Sequence, residues 1–326
     1  MDIPFLLRLD PKRAAEEISA GLRAAVEGLG RRGGVLGLSG GIDSAVVAAL
    51  CGRGLGGARV LALLMPEEDS EPESLELGRA AAEACGIEWL VEDIAPILRA
   101  AGCYERRDRA IRGVVPDYGP GWRAKIVLPP LLGSDRLRLW ELVVQPPGGE
   151  PERVRLKAAS YLEIVAATNL KQRTRKLLEY THADRLGYAV IGTPNRLEYD
   201  QGFFVKGGDG AADVKPIAHL YKSQVYQLAE ELGVPEAIRT RPPTTDTYSL
   251  PQGQDEFYFS VGYETLDLCL YARDHGMPAG DVASPAGLSV EDVERVFRDI
   301  DRKRVATAYL HAPPVLLDST GSASSA

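Results

Sequence analysis

A run of small and acidic residues near the N-terminus has the composition of a phosphate-binding loop. Ser39-Gly40-Gly41-Ile42-Asp43-Ser44 lies between two apolar stretches, and this order predicts a strand, a loop and a helix. Two adjacent glycines let backbone N–H groups approach an anion, and the start of the helix adds partial positive charge. Ser39 and Ser44 supply hydroxyl donors beside these amides. The glycines alone would fit an ordinary tight turn, but together with both serines and the aspartate they favour a phosphate site.

Asp43 and Glu198 are the candidate metal ligands. Glu198 follows an apolar run, residues 188–193, that predicts a strand. If this strand neighbours the one before Asp43, both carboxylates face one crevice at the carboxyl end of the sheet. Carboxylate oxygens suit Mg²⁺, which commonly bridges protein and phosphate oxygens. A Walker-type loop is excluded because it requires a lysine before its final Ser or Thr, and this loop has none.

The elements around this loop alternate between strand and helix, which predicts a doubly wound α/β fold with a parallel sheet. The apolar run 60–65 is typical of a strand buried on both faces, and Met65 ends it where ligands bind in open α/β sheets. The first helix is expected to start at Pro11 with Asp10 as its cap, and the helix after Met65 with Ser70 as its cap. Predicted strands cover 35–38, 60–65, 87–91 and 188–193, and predicted helices cover 11–29, 70–85, 159–186, 222–232, 261–275 and 290–302.

The segment from about 104 to 158 interrupts this alternation and is interpreted as an insertion into a single domain of residues 1–326. Residues 136–144 and 153–157 flank a Pro-Pro-Gly-Gly turn and predict a β-hairpin with one apolar face. The segment carries an excess of positive charge. Such charge is typical of a solvated hairpin edge, and a lid or partner surface for a phosphorylated substrate is the second interpretation.

Two later stretches are predicted to be functional loops, and one helix is predicted to be an interface. Residues 202–210 are too rich in glycine for regular structure and suit close approach of a ligand to the backbone. Residues 239–256 form a long loop rich in proline and threonine, as expected of a lid. The helix over 159–186 is too apolar to face water on all sides, which favours a homodimer. Residues from about 318 to 326 are expected to be a disordered tail.

Composition excludes several classes of function. The net charge of −8 argues against nucleic acid as the main partner, because such binding requires clustered positive charge. No apolar run reaches the ~18 residues of a membrane span and no cleavable leader is evident, so a cytoplasmic protein without a membrane partner is expected. The four cysteines lie far apart without a Cys-x-x-Cys pair, which predicts buried thiols rather than zinc ligands or disulfides.

Six motifs together resemble a known family. The loop at 39–44 resembles the pyrophosphate-binding loop of the N-type ATP pyrophosphatases. Five further motifs, in the same order along the chain, resemble the ammonia-dependent NAD⁺ synthetases within that superfamily: Asn169 to Arg175, Gly192 to Glu198, Gly202 to Gly210, Arg241 to Asp246 and Gln254 to Glu256. The resemblance implies an adenine nucleotide alpha hydrolase-like, Rossmann-like fold. It also implies a homodimer that uses ATP and Mg²⁺ to convert deamido-NAD and ammonia to NAD⁺, with AMP and pyrophosphate released through an acyl-adenylate.

The resemblance also assigns roles residue by residue. Asp43, Lys206, Asp255 and Glu256 would be catalytic, and Asp43 and Glu198 would hold Mg²⁺. ATP would contact Ser39, Gly40, Gly41, Asp43, Ser44, Met65, Thr193 and Thr244. The other substrate would contact Arg173, Lys206 and Asp209. Ammonia would arrive free or from a separate glutaminase chain.

Departures from the family's motifs keep a second interpretation open. Gln172, Lys176, Val205 and Gly207 stand where the family has other residues, and these positions belong to the substrate side. An adenylating amide ligase that acts on a different carboxylate in a specialised pathway would retain the ATP side and differ at such positions.

Overall fold

The computed structural model describes residues 5–133, 138–244 and 247–317, with the exception of the Asp255 side chain. Four parallel strands form the central sheet in the order β3-β2-β1-β7, in which Gly34 of β1 pairs with Val60 of β2 and Ala189 of β7. These strands are β1 (Gly34–Gly37), β2 (Val60–Leu64), β3 (Glu88–Val91) and β7 (Ala189–Val190). The central position of β1 places the loop after it at the middle of the sheet's carboxyl edge.

The strand predicted over 188–193 is shorter than expected. Only Ala189–Val190 pairs with β1, and Ile191 adds a single parallel bridge to Val214. Pro194 follows closely, and proline has no N–H for a ladder hydrogen bond. The predicted adjacency of this strand to β1 is nevertheless confirmed.

Helices cover both faces of the sheet, as expected for a doubly wound fold. Leu36 and Ala62 point into one core with the first group of helices, whereas Val35 and Leu61 point into the opposite core. This alternation follows from the two-residue period of a strand. The first group is α1 (Pro11–Gly28), α2 (Ile42–Leu55), α3 (Pro72–Ala84), α8 (Lys222–Glu231) and α9 (Glu236–Arg239), and the second is α4 (Ala95–Ala100), α5 (Cys103–Arg112) and α6 (Ala158–Leu186).

The predicted cap of α1 is confirmed, and the predicted cap of α3 is wrong. Asp10 accepts a hydrogen bond from the N–H of Arg13 at the start of α1. Helix α3 begins two residues after Ser70, with Glu71 in the cap position. The Ser70 hydroxyl instead accepts the N–H of Glu67 within the preceding turn.

The inserted segment contains a three-stranded antiparallel sheet of order β4-β5-β6, which we call the inserted sheet. Its strands are β4 (Arg123–Val127), β5 (Glu141–Gln145) and β6 (Glu152–Arg155). The predicted hairpin corresponds to β5 and β6, although residues 136–137 of its first predicted strand lie outside the described residues. Sequence analysis missed β4. Residues 104–112, also assigned to the insertion, lie in α5, which packs beside α6 on the main fold.

A separate helical layer completes the chain. It consists of α7 (Arg196–Gln201), α10 (Tyr263–Asp274), α11 (Ala279–Ala286) and α12 (Val290–His311), with a turn of π-helix at Asp255–Phe259. Helix α11 was not predicted, and α12 extends nine residues beyond the predicted end at residue 302. The predicted tail, 318–326, lies outside the described residues. No helix in the part of the chain that the structure describes is both long and apolar enough to cross a membrane.

Candidate active site

The loop between β1 and α2 has the geometry predicted for a phosphate site. Gly40 has a φ of 78°, and a Cβ atom there would lie 2.5 Å from the carbonyl oxygen of Ser74. A side chain is therefore excluded both by backbone conformation and by the approach of α3. Gly41 caps α2, a helix of 14 residues, and the first residues of this helix line the cleft. The glycine backbone of the loop and the positive end of a helix thus border the same space.

Ser39 and Ser44 brace this loop. Their hydroxyl oxygens are 3.1 Å apart, and Ser44 Oγ also donates to the carbonyl oxygen of Gly41 at 2.9 Å. The N–H of Gly41 lies 3.3 Å from Ser39 Oγ. The loop is held in shape by its own hydroxyl groups, which a phosphate can exchange for stronger charge-assisted hydrogen bonds.

Asp43 is paired with a buried lysine that sequence analysis did not select. Nζ of Lys222, a side chain only 2% exposed, donates to Asp43 Oδ2, and Asn195 Nδ2 donates to Oδ1 at 3.0 Å. Burial opposes the charge on Lys222, but the negative charges of Asp43 and Glu198 outweigh it and raise its pKa. Lys222 is therefore a fixed cation beside the predicted metal ligand.

Glu198 is held by its own helix and by a later loop. It is the third residue of α7, where its carboxylate accepts the N–H of Asn195 in a capping box. Its other oxygen accepts Nε2 of Gln254 at 3.0 Å. Burial, followed by the negative charge of Asp43, raises the pKa of Glu198 to about 8. Asp43 and Glu198 line the same cleft, and the negative charge of Asp43 contributes to the raised pKa of Glu198.

The predicted lid loop is anchored on both sides of the cleft. Arg241 contacts the carboxylate of Glu71 and the hydroxyl of Ser74 on the α3 side. Lys171, fully buried in α6, donates to the carbonyl oxygen of Thr247 at 2.6 Å and to Glu67 at 2.9 Å. Residues of the loop that line the cleft include Thr244 and Gln254. Asp246 of this motif lies outside the described residues.

The predicted substrate residues lie in the same cleft. Arg173 Nε donates to the carbonyl oxygen of Lys206 at 3.3 Å, and Asp209 accepts the N–H of Val205 at 2.7 Å. Burial raises the pKa of Asp209. The Lys206 ammonium donates to the carbonyl oxygens of Tyr309 and Ala312, at 2.6 and 3.2 Å. The predicted catalytic lysine therefore caps the end of α12 in this state.

Glu256, also predicted to be catalytic, does not lie among the described residues that line the cleft. Its carboxylate pairs with Lys125 of β4 at 2.6 Å, on the side that faces the inserted sheet. A contact 131 positions away in the chain gives no local pattern, so sequence analysis had no means of finding it. The side chain of Asp255 is outside the described residues.

Most of the predicted site residues line one cleft of about 670 Å³. It is lined by the whole phosphate loop and by Asp43, Met65, Arg173, Thr193, Glu198, Lys206, Asp209 and Thr244. It also contains Lys222 and Glu179, which sequence analysis did not select, and Lys176, which forms a buried ion pair with Glu179. Lysine is a common surface residue of helices. Only burial, which the structure shows, distinguishes Lys222 and Lys176 from ordinary surface lysines.

A phosphate loop at the switch of a doubly wound parallel sheet, facing two carboxylates, defines an ATP-binding protein of the adenine nucleotide alpha hydrolase-like fold. Comparison with known proteins narrows this class. The family model of NAD synthase matches residues 14–112 and 152–306, and the chain belongs to that family of ligases. The unmatched residues 113–151 include β4 and β5.

Individual relatives agree with this membership. The chain is 60% identical to the NH(3)-dependent NAD(+) synthetase of Rhizobium meliloti (strain 1021), over 95% of this chain and 93% of that protein. Among solved structures it is similar to an NMN synthetase from Francisella tularensis (TM-score 0.67, 22% identity, 95% of this chain and 100% of that one). It is also similar to an NH3-dependent NAD synthetase from Campylobacter jejuni (TM-score 0.62, 23% identity, 95% and 100%). At these identities the two structures establish the fold alone.

Proposed function

We propose that the protein is an ATP-dependent amide ligase that converts deamido-NAD and ammonia to NAD⁺ and releases AMP and pyrophosphate. The observation that carries this proposal is that the phosphate loop, the carboxylate pair and the glycine-rich loop at 202–210 line a single cleft. ATP and a second substrate can thus meet there. The R. meliloti relative, at 60% identity, carries the name of this activity.

The first chemical step activates a carboxylate. A carboxylate is a poor acyl donor, so its oxygen attacks the α-phosphorus of ATP, and the acyl-adenylate that forms has AMP as its leaving group. The departing pyrophosphate gains negative charge, which the amides of Gly40 and Gly41 and the hydroxyls of Ser39 and Ser44 are placed to stabilise. Thr193, Thr244 and Met65 line the adjoining space and would contact the rest of ATP.

Asp43 and Glu198 fit the needs of Mg²⁺. The negative charge of Asp43 contributes to the raised pKa of Glu198, so a cation would be favoured between them, and Mg²⁺ takes one or two protein carboxylates together with phosphate oxygens. When bound, Mg²⁺ would neutralise charge on the phosphates. The ammonium of Lys222, already beside Asp43, would add positive charge near the same phosphates.

The second step makes the amide. Ammonia attacks the acyl carbon and AMP departs. Arg173, Lys206 and Asp209 would hold the deamido-NAD side of the cleft, where its phosphates can compete with the carbonyl oxygens of Tyr309 and Ala312 for the Lys206 ammonium. Ammonia would be free or supplied by a separate glutaminase chain. Glu256 pairs with Lys125 and is not among the described residues that line the cleft, and the roles of Glu256 and Asp255 stay predictions.

The proposal extends to a cytoplasmic homodimer. Leu162 and Leu177 lie on α6 and are 62% and 59% exposed. Two large apolar side chains exposed on one helix support a protein interface there. The apolar character of the 159–186 sequence predicted a dimer contact on the same helix, and the family resemblance implies a homodimer.

The experiment supplies the purified protein with ATP, Mg²⁺ and ammonium, and then with either deamido-NAD or nicotinate mononucleotide. AMP, pyrophosphate and the amide product are measured by chromatography. We expect equal amounts of AMP and NAD⁺ with deamido-NAD. Background release with deamido-NAD, combined with amide formation from the mononucleotide or another carboxylate, would overturn the substrate and favour the second interpretation.

A further inference from the structure

The inserted sheet does not line the cleft directly. No described residue of the insertion between 113 and 151 lies in the cleft wall, whereas residues Thr247, Tyr248, Gln254 and Phe257 do. The inserted sheet can therefore influence the site through the segment 247–257, in addition to its contact with α6, where Trp140 stacks on the cleft residue Tyr161.

This segment covers the free edge of β4. The other edge of β4 pairs with β5, and the open edge receives main-chain hydrogen bonds from the segment. The N–H of Leu250 donates to the carbonyl oxygen of Ala124 at 3.2 Å, and the N–H of Leu128 donates to the carbonyl oxygen of Glu256 at 3.1 Å. Edge strands carry unpaired donors and acceptors, so such cover satisfies them. Two main-chain hydrogen bonds thus dock the 247–257 segment on this edge.

Side chains strengthen this docking. Ser249 Oγ accepts the N–H of Ala124 at 2.9 Å, and Gln252 Nε2 donates to the carbonyl oxygen of Ile126. Tyr248 and Leu250, each 7% exposed, pack into the two apolar clusters of the inserted sheet. The segment is thus fixed by both polar and apolar contacts.

Lys125 makes the one ion pair that the described residues place between β4 and this segment. Its Nζ lies 2.6 Å from Glu256 Oε2 and 3.0 Å from the carbonyl oxygen of Pro251, and its side chain is 16% exposed. The Lys125 ammonium thus donates to two acceptors on the segment and holds the segment at two points. Partial burial makes such a pair stronger than a surface pair.

The opposite side of the segment reaches the chemistry. Gln254 Nε2 contacts Glu198, and the carbonyl oxygen of Thr247 accepts from Lys171, which is buried in α6. The segment 247–257 is therefore held on two sides. One group of its contacts is with β4, and Gln254 contacts Glu198, a predicted metal ligand. A shift of the segment on β4 would shift Gln254 against Glu198.

We infer that β4 is a docking edge that holds the 247–257 segment over the reaction centre, with Lys125 as a positioning residue. The inference rests on the proposed function. Its role is to keep water from the acyl-adenylate: water that attacks the acyl carbon breaks the bond to AMP and returns the free carboxylate, so ATP is consumed without amide formation. Closed active sites protect reactive intermediates in this way.

The test compares Lys125→Met, Lys125→Arg and a matched control, Arg123→Met. Arg123 is on the same strand, and its hydrogen-bond partner Gln145 lies within the inserted sheet. Two quantities are measured: the ratio of AMP to NAD⁺ formed, and hydrogen exchange of the amides of residues 247–257. We expect Lys125→Met to raise exchange about tenfold, as loss of a charge-assisted hydrogen bond would allow, and to raise the AMP ratio clearly above one.

Lys125→Arg should restore both quantities, since it keeps a cation at this position, and Arg123→Met should leave both unchanged. A purely structural role would lower the thermal midpoint of Lys125→Met without changing the AMP ratio, and that result would overturn the inference. An unchanged exchange rate would overturn it too. Failure of the proposed function is distinct, because the wild-type protein would then form no NAD⁺ at all.

Discussion

Lys222 and Asp43 form a buried ion pair at the point where the phosphate loop meets Glu198, the second proposed metal ligand. The ammonium of Lys222 donates to Asp43 Oδ2, on the carboxylate proposed to bind Mg²⁺. An internal cation therefore balances part of the acidic pair before any ligand enters. Removal of Asp43 and removal of Lys222 should therefore have different effects on turnover and on Mg²⁺ binding.

Replacement of Asp43 should stop turnover. Asp43→Asn keeps the shape and the contact with Asn195 but removes the negative charge that would hold Mg²⁺. We expect kcat for AMP formation to fall by at least about 100-fold, in line with the loss of an essential electrostatic group. Asp93→Asn, which alters an aspartate that accepts the N–H of Ala95 at the start of α4, is the matched control. Wild-type rates in Asp43→Asn would contradict the metal assignment.

Replacement of Lys222 should separate metal binding from turnover. Lys222→Met leaves Asp43 and Glu198 without their internal cation, so unfolding should become easier by about 3 kcal/mol, as found when one partner of a buried pair is removed. Binding of Mg²⁺ alone should become tighter, because no ammonium competes for Asp43. Calorimetry with Mg²⁺ and no nucleotide measures this, and AMP formation should fall.

Lys176→Met is the control for this experiment. Lys176 is a buried lysine of the same cleft, but its partner is Glu179 at 2.6 Å. It should destabilise the protein without tightening Mg²⁺ binding. If both variants bound Mg²⁺ equally, the assignment of Lys222 as a competing cation would be wrong.

Asp267 should make stability depend on pH. Burial raises its pKa from 3.8 to about 6, even though it accepts the N–H groups of Lys222 and Ser223. The folded state then binds a proton that the unfolded state has lost, so this residue's contribution to the free energy of unfolding falls as pH rises from 3.8 to about 6. Asp267→Asn removes this titration.

Urea unfolding at pH 4 to 7 measures the effect. The wild-type protein should lose its advantage over Asp267→Asn as pH rises, by on the order of 2 kcal/mol in total. Asp281→Asn, at an exposed position in α11, should run parallel to wild type. A stability gap between wild type and Asp267→Asn that stayed constant with pH would rule out Asp267 as the source.

Leu177 should control assembly if α6 is the dimer contact. Leu177→Asp places a charge on an exposed leucine of this helix and should shift the protein from dimer to monomer. Sedimentation velocity at micromolar concentration gives the answer. Leu29→Asp, at a leucine 52% exposed at the end of α1 on the other face of the sheet, should have no effect. A wild-type monomer would contradict the homodimer outright.

Features that depend on a local pattern of residues could be predicted from the sequence alone. The spacing of Ser39, Gly40, Gly41, Asp43 and Ser44 predicted the phosphate loop, and the apolar run at 60–65 predicted a buried parallel strand. The predicted family and ligase activity agree with the comparisons. These predictions succeed because a turn, a helix start or a strand is specified by residues that are neighbours in the chain.

Contacts between residues that lie far apart in the chain could be seen only in the tertiary structure. Lys222 reaches Asp43 across 179 positions, and Lys125 reaches Glu256 across 131. Neither pair has a periodic pattern, because a side chain's partner there is set by how whole layers pack and not by spacing along the chain. The same reason explains why Glu256, predicted to be catalytic from its motif, contacts the inserted sheet instead, and why β4 was recognised only once its partners β5 and the 247–257 segment were seen.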